Sequence, residues 1–308
     1  MSTFAYLFCY VALLVFVASV VRKIISHLSK PLPVRWELYP IPHEPPERFE
    51  HGGSYLEDVD WWKKERKHTF IGMVKYMAEE VVFLKACFEH NRQLWFRTYP
   101  FHIGLYLVCA FTGLAIFIAI CQLFNISVGP LHAINNFLGP VGLLLTLLGA
   151  VGIFQLRMSD SGLKKYSTSE QYLTLGLFIV ISVLCLLTWL MVDRDFSLLN
   201  QFIVNLISFN FAPMESALLV SSIILVSLLA ALIPNTHMAH FFMKYFLYHD
   251  IRWGDKSAFE DPKTVDESLA IVLNYPVSWS AEHVGVQPNR KTWVDVALYN
   301  PAAEPEKK

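Results

Sequence analysis

Five apolar runs, residues 4–21, 101–121, 137–154, 172–192 and 217–233, punctuate this 308-residue chain. Of its 25 Lys and Arg residues, all but Arg194 fall in segments that share one side if every run crosses a bilayer once. As a helix rising about 1.5 Å per residue, each run bridges most of a hydrocarbon core of about 30 Å. Residues 22–97 hold thirteen basic side chains, 157–165 hold three and the segment after Phe241 holds eight, whereas 122–136 hold none. The bias of basic residues toward the cytoplasm therefore predicts an oriented, all-α integral membrane protein with its N-terminus outside and its C-terminus inside.

Composition supports two kinds of segment. A share of 54% hydrophobic residues is oily for a soluble chain, yet the 17% that are charged are concentrated between the runs. The net charge of −1 arises from basic residues interleaved with Asp and Glu, so they read as topology signals and not as a nucleic-acid surface. Cys9, Cys87, Cys109, Cys121 and Cys185 form no CxxC pair, which argues against a metal cluster or disulfide framework within the chain. The first run lacks a basic n-region and is followed by Arg22 and Lys23 without a small-residue cleavage site, so it is expected to remain as a span.

The polar segments differ in character. Pro31, Pro33, Pro40, Pro42, Pro45 and Pro46 rule out a continuous helix and suggest an extended strap. From Trp61 to Trp95, apolar residues recur at helical spacing among Lys75, Glu79, Glu80, Lys85 and Glu89, predicting a cytoplasmic amphipathic helix that either packs on the bundle or meets a partner. The loops on the outer side read as too short for an external domain. Residues 249–308 carry Trp253, Trp279 and Trp293 among five prolines, the pattern of an extended tail that drapes over a partner. The expected division is thus a membrane domain, 1–248, containing the strap and amphipathic helix at 31–97, and a docking tail, 249–308.

Ionisable groups near the spans are few, and such groups mark functional sites by default. His102 opens the second span, and His237 with His240 close the fifth. Because the second span runs inward to outward and the fifth the reverse, these histidines are expected at one depth near the cytoplasmic face. Two imidazoles from facing helices can hold a haem iron between them. The alternative for each is an interfacial histidine bonded to a carbonyl or a headgroup. Zinc lacks a third and fourth ligand at that level. His132 lies at the opposite face, where capping of the third span competes with a quinone contact. Five spans do not split into two equal halves and mid-bilayer charges are missing, which weighs against a secondary transporter.

The five-span order, the histidine opening the second span and the Pro-x-x-His-x-x-His ending at residues 234–240 resemble the membrane cytochrome b subunits grouped with the gamma subunit of respiratory nitrate reductase. Within that group the chain resembles the branch associated with heterodisulfide-reductase-like complexes. The resemblance implies that His102 and His240 are the axial ligands, with His237 at a variable position. Relatives with two haems carry further histidines where this chain has Thr112 and Ser222, so a single haem b is expected. Arg97, His237 and Lys244 are candidate contacts for haem propionates or a quinone carbonyl, or else snorkelling interfacial groups. The implied role is electron transfer in the cytoplasmic membrane of a bacterium or archaeon, between a quinone such as menaquinone and a cytoplasmic iron-sulfur subunit, within a quinone oxidoreductase complex. The rival expectation is a haem-free membrane anchor for a peripheral redox complex.

Overall fold

The computed structural model describes residues 1–29, 41, 42, 44, 47, 58–60, 64, 69–253, 262–277 and 292–298. Among these the protein is all-helical, with a single isolated bridge pairing Pro276 with Thr292. Five helices are long and apolar enough to cross a membrane: α1 (Ser2–Leu28), α4 (Arg92–Leu123), α5 (Gly129–Ser159), α7 (Ser169–Met191) and α9 (Ala217–Leu232), the last continued by a 3₁₀ turn to Asn235. It is a multi-pass membrane protein.

Side chains cap these helices where their first N–H groups lack intrahelical partners. Asn91 accepts from Leu94 N at 3.0 Å to open α4, and Ser216 accepts from Leu219 N at 3.2 Å to open α9. A reciprocal capping box between Thr168 and Gln171 opens α7. The fifth span stops where Pro234 enters a 3₁₀ turn and Thr236 adopts an extended conformation.

Two compact units emerge: Met1–Val21 with Met73–Ala239, and Arg22–Gly72 with His240–Lys308. In the first unit, α4 and α5 lie in backbone contact. A Cβ at Gly149 would fall on the backbone of Phe101, and one at Gly104 on that of Thr146. Small residues permit this close approach where the hydrophobic effect gives helices in lipid no reason to associate. Phe101, Ala150, Ile153, Leu175, Phe178 and Leu229 form one core cluster, against which Ile233 and Met238 pack. A second cluster seats α1 on the fifth span, with the Tyr6 and Phe202 rings stacked at 4.8 Å.

The expected amphipathic helix over Trp61–Trp95 is not continuous. It is replaced by α2 (Phe70–Val82) and α3 (Lys85–His90), while Trp95 already belongs to the spanning helix; most of the stretch before Phe70 lies outside the described residues. Leu84 interrupts the run with φ 52, a left-handed conformation that ends an α-helix. Glu80, 5% exposed, accepts from Ala86 N across the break at 3.0 Å. Trp95 Nε1 donates to Phe83 O at 2.8 Å and Tyr106 OH to Val81 O at 2.6 Å, fastening this pair of helices to the second span.

The loop between the fourth and fifth spans also holds more than expected. It contains α8 (Ser197–Ile207), flanked by Phe196 and Phe209, both with φ 56. Asp193 seeds the helix by accepting from Leu198 N and Leu199 N at 3.0 and 2.9 Å, and Asn200 Nδ2 donates to Gln122 Oε1 at 2.7 Å.

In the second unit, α10 (His240–Phe246) runs into a π-helical turn, Leu247–Arg252. There His27 Nε2 lies 3.0 Å from Asp250 Oδ2. The tail is not wholly extended: α11 (Pro262–Leu273) and α12 (Trp293–Leu298) are formed within it. Pro262 stands at the first helical position, where its missing N–H costs nothing. The proline-rich strap at 31–46 falls almost entirely outside the described residues, as does Trp279.

Candidate functional site

His102 sits in the third turn of α4, half-buried, directly after Phe101. Its Nδ1 lies 2.8 Å from Thr98 O. A carbonyl only accepts, so Nδ1 donates the proton of this bond. Phe101 fixes the backbone there: it is 3% exposed, lies against Gly149 and meets the Phe178 ring edge-on at 5.1 Å. The imidazole thus projects from a tightly packed level of the second span. Pro100 lies inside the same helix, which continues through it.

Arg97 is held one helical turn earlier. Its Nη1 donates to Gln93 O at 2.8 Å, and its stem lies along Gly152 of the third span. An anchored stem with its charge at the basic end of the helix is the snorkelling arrangement named for this residue.

His237 is engaged by the fourth span. Its backbone N donates to Glu170 Oε1 at 2.9 Å, and its Nδ1 lies 3.2 Å from the same oxygen. Glu170 is in the first turn of α7, where a carboxylate is favoured by the helix dipole. Nothing in the sequence pointed to Glu170, because its partner is 67 residues away. His240, exposed, is the first residue of α10 in the other compact unit, and Lys244 of that unit places Nζ 5.7 Å from the Tyr248 ring centre.

Thr112 and Ser222 both line a single cavity of about 580 Å³. Each hydroxyl is turned to its own helix, Thr112 Oγ1 toward Val108 O at 2.8 Å and Ser222 Oγ toward Leu218 O at 3.0 Å. Sequence reasoning identified the two residues but not the cavity, nor the part played by Thr188, which lies 2.7 Å from Ser222 Oγ.

Among the described residues, no group of three or more His, Cys, Asp or Glu side chains is assembled that would hold a metal ion. No family model, curated protein or solved structure matches this chain.

Proposed function

We propose that the protein is a cytochrome b subunit that carries electrons between the membrane quinone pool and a cytoplasmic iron-sulfur partner. The observation that carries this reading is His102, whose Nδ1 donates to Thr98 O, the backbone contact that a metal-ligating imidazole commonly makes through its other ring nitrogen. The resemblance supplies His240 as the second ligand, and the Glu170 contact holds His237, at the end of the fifth span, to the start of the fourth. Bound haem b would supply one-electron chemistry; the chain supplies its ligands, orientation and electrostatics.

His102 and His240 would hold the iron, and Arg97 is the half-buried cation on the same helix suited to a propionate. Hydroxyls at Thr112 and Ser222 support a single haem per chain, since neither residue ligates iron in place of histidine. The bias of basic residues supports a cytoplasmic position for the proposed haem level, close to a soluble partner that would supply the next carriers. An optical spectrum of the purified chain tests this reading. Low-spin haem b bands that vanish in His102→Ala support it, and a colourless chain leaves the membrane-anchor reading.

A further inference from the structure

The second and fifth spans both line the 580 Å³ cavity in the half of the first unit that lies away from Arg97 and Arg157. Val108, Phe111 and Thr112 of α4 form one wall, Ser222, Ile223 and Val226 of α9 another, and Cys185 and Thr188 of α7 a third. Leu199, Phe202, Ile203 and Leu206 of α8 close its end. Leu13, Ile116 and Val226, on three different helices, are 61, 42 and 45% exposed, so the cavity opens sideways toward the surrounding hydrocarbon. This volume suits a drug-sized molecule, and such pockets are typically apolar with few polar points.

Those polar points define the ligand. Tyr10 OH donates to Leu206 O at 2.5 Å, Trp189 Nε1 to Arg194 O at 3.0 Å, and Asp193 is engaged by the first N–H groups of α8. No charge in the wall is therefore offered to an ion or a polar substrate. The Thr188–Ser222 pair is different. Both residues are 5% exposed, and their hydroxyls have two protons to share among four contacts: Thr188 to Leu184 O at 2.9 Å and to Leu218 O at 3.5 Å, Ser222 to Leu218 O at 3.0 Å, and each other at 2.7 Å. Each hydroxyl carries a single O–H and can rotate it. The pair can thus turn one donor toward an acceptor in the cavity at little cost, because the carbonyl it leaves still receives its backbone helix bond.

A flat, uncharged molecule that reaches the site through lipid and carries a ring carbonyl satisfies all of these features. We propose that the cavity is the binding site of the membrane quinone, with a ring carbonyl accepting from Thr188 or Ser222 and the isoprenoid tail leaving past Leu13 and Ile116. The choice of ligand rests on the electron-transfer reading above. Val108, at the inner limit of the wall, is six residues beyond His102 on one helix, a rise of about 9 Å, so the quinone would lie one short step from the proposed haem level.

Binding of a two-isoprene menaquinone to the full-length chain in detergent tests the proposal. Trp189 lines the cavity and reports occupancy through quenching that Trp189→Phe removes. Saturable, one-site quenching is expected, weakened about tenfold or more (about 1.4 kcal/mol) by Ser222→Phe, which fills the cavity. Ile116→Trp blocks the mouth without entering the packed interior, so the test survives misfolding of the first variant. Val183→Phe, on an exposed face, should bind as the wild type does. Non-saturable quenching, or undiminished affinity in both blocking variants, would overturn the proposal. Native mass spectrometry that finds a phospholipid in the cavity, expelled by Ser222→Phe, together with no quinone binding, would overturn it as well. Haem content measured on the same samples separates the two readings: a haem-free chain that binds quinone keeps the site and loses the electron-transfer role, and a haem-loaded chain that binds none does the reverse.

Discussion

Glu170 Oε1 accepts from both the backbone N and the Nδ1 side of His237, at 2.9 and 3.2 Å, tying the end of the fifth span to the first turn of the fourth. The contact anchors His237, and the resemblance, which makes His240 the proposed ligand, predicts that His240→Ala abolishes the low-spin haem spectrum and His237→Ala preserves it. The anchor is half exposed, so losing it should cost at most about 1 kcal/mol. Visible spectra and thermal melts of both variants check this, and the reverse pattern would show that His237 is the ligand.

The approach of the second and third spans leaves no room for a side chain at Gly149, where a Cβ would meet Phe101 backbone. Gly149→Leu should therefore destabilise the bundle by at least the 1–3 kcal/mol, roughly, of an overpacked core. It should also displace His102, the next residue. Haem yield should fall together with the melting temperature. Gly113→Leu, where a Cβ meets nothing within 4 Å, is the control and should change neither.

Asp193, 3% exposed, holds the N-terminus of α8 through two backbone N–H groups. Its replacement by Ala should cost about 1–2 kcal/mol, as for loss of an N-cap. Hydrogen exchange should then accelerate over 197–207 while the haem spectrum remains. Asp193→Asn, which keeps one acceptor, should retain most of the protection.

The five spans were legible because hydropathy over some twenty residues does not depend on neighbours, and the position of His102 followed from the start of the second run. Other features depend on distant contacts. α8 was overlooked although Asp193, Asp195 and Ser197 precede Leu198, Leu199, Phe202, Ile203 and Leu206 at helical spacing; its place inside a presumed loop hid the signal. Leu84 gave no warning of the break before α3, since leucine favours helix and yet adopts φ 52 here. The cavity is a relation among all five spans and α8, and no local pattern encodes a void.

The tail, with Trp279 and Trp293 as candidate anchors, is proposed to dock the iron-sulfur subunit, because aromatic side chains on polar segments often supply binding energy. Deleting residues 255–308 should leave the haem spectrum unchanged and release the soluble partner on mild detergent extraction. A partner that stays bound would move the docking role to α2 and α3, where Phe70, Ile71 and Phe83 are exposed.

The most direct measurement is the ratio of haem to protein. Pyridine haemochrome assay of the purified full chain, set against protein mass, should return about one haem b per chain. A ratio near two would contradict the reading of Thr112 and Ser222 as positions without iron ligands, and a ratio near zero would contradict the assignment of His102 and His240 as haem ligands.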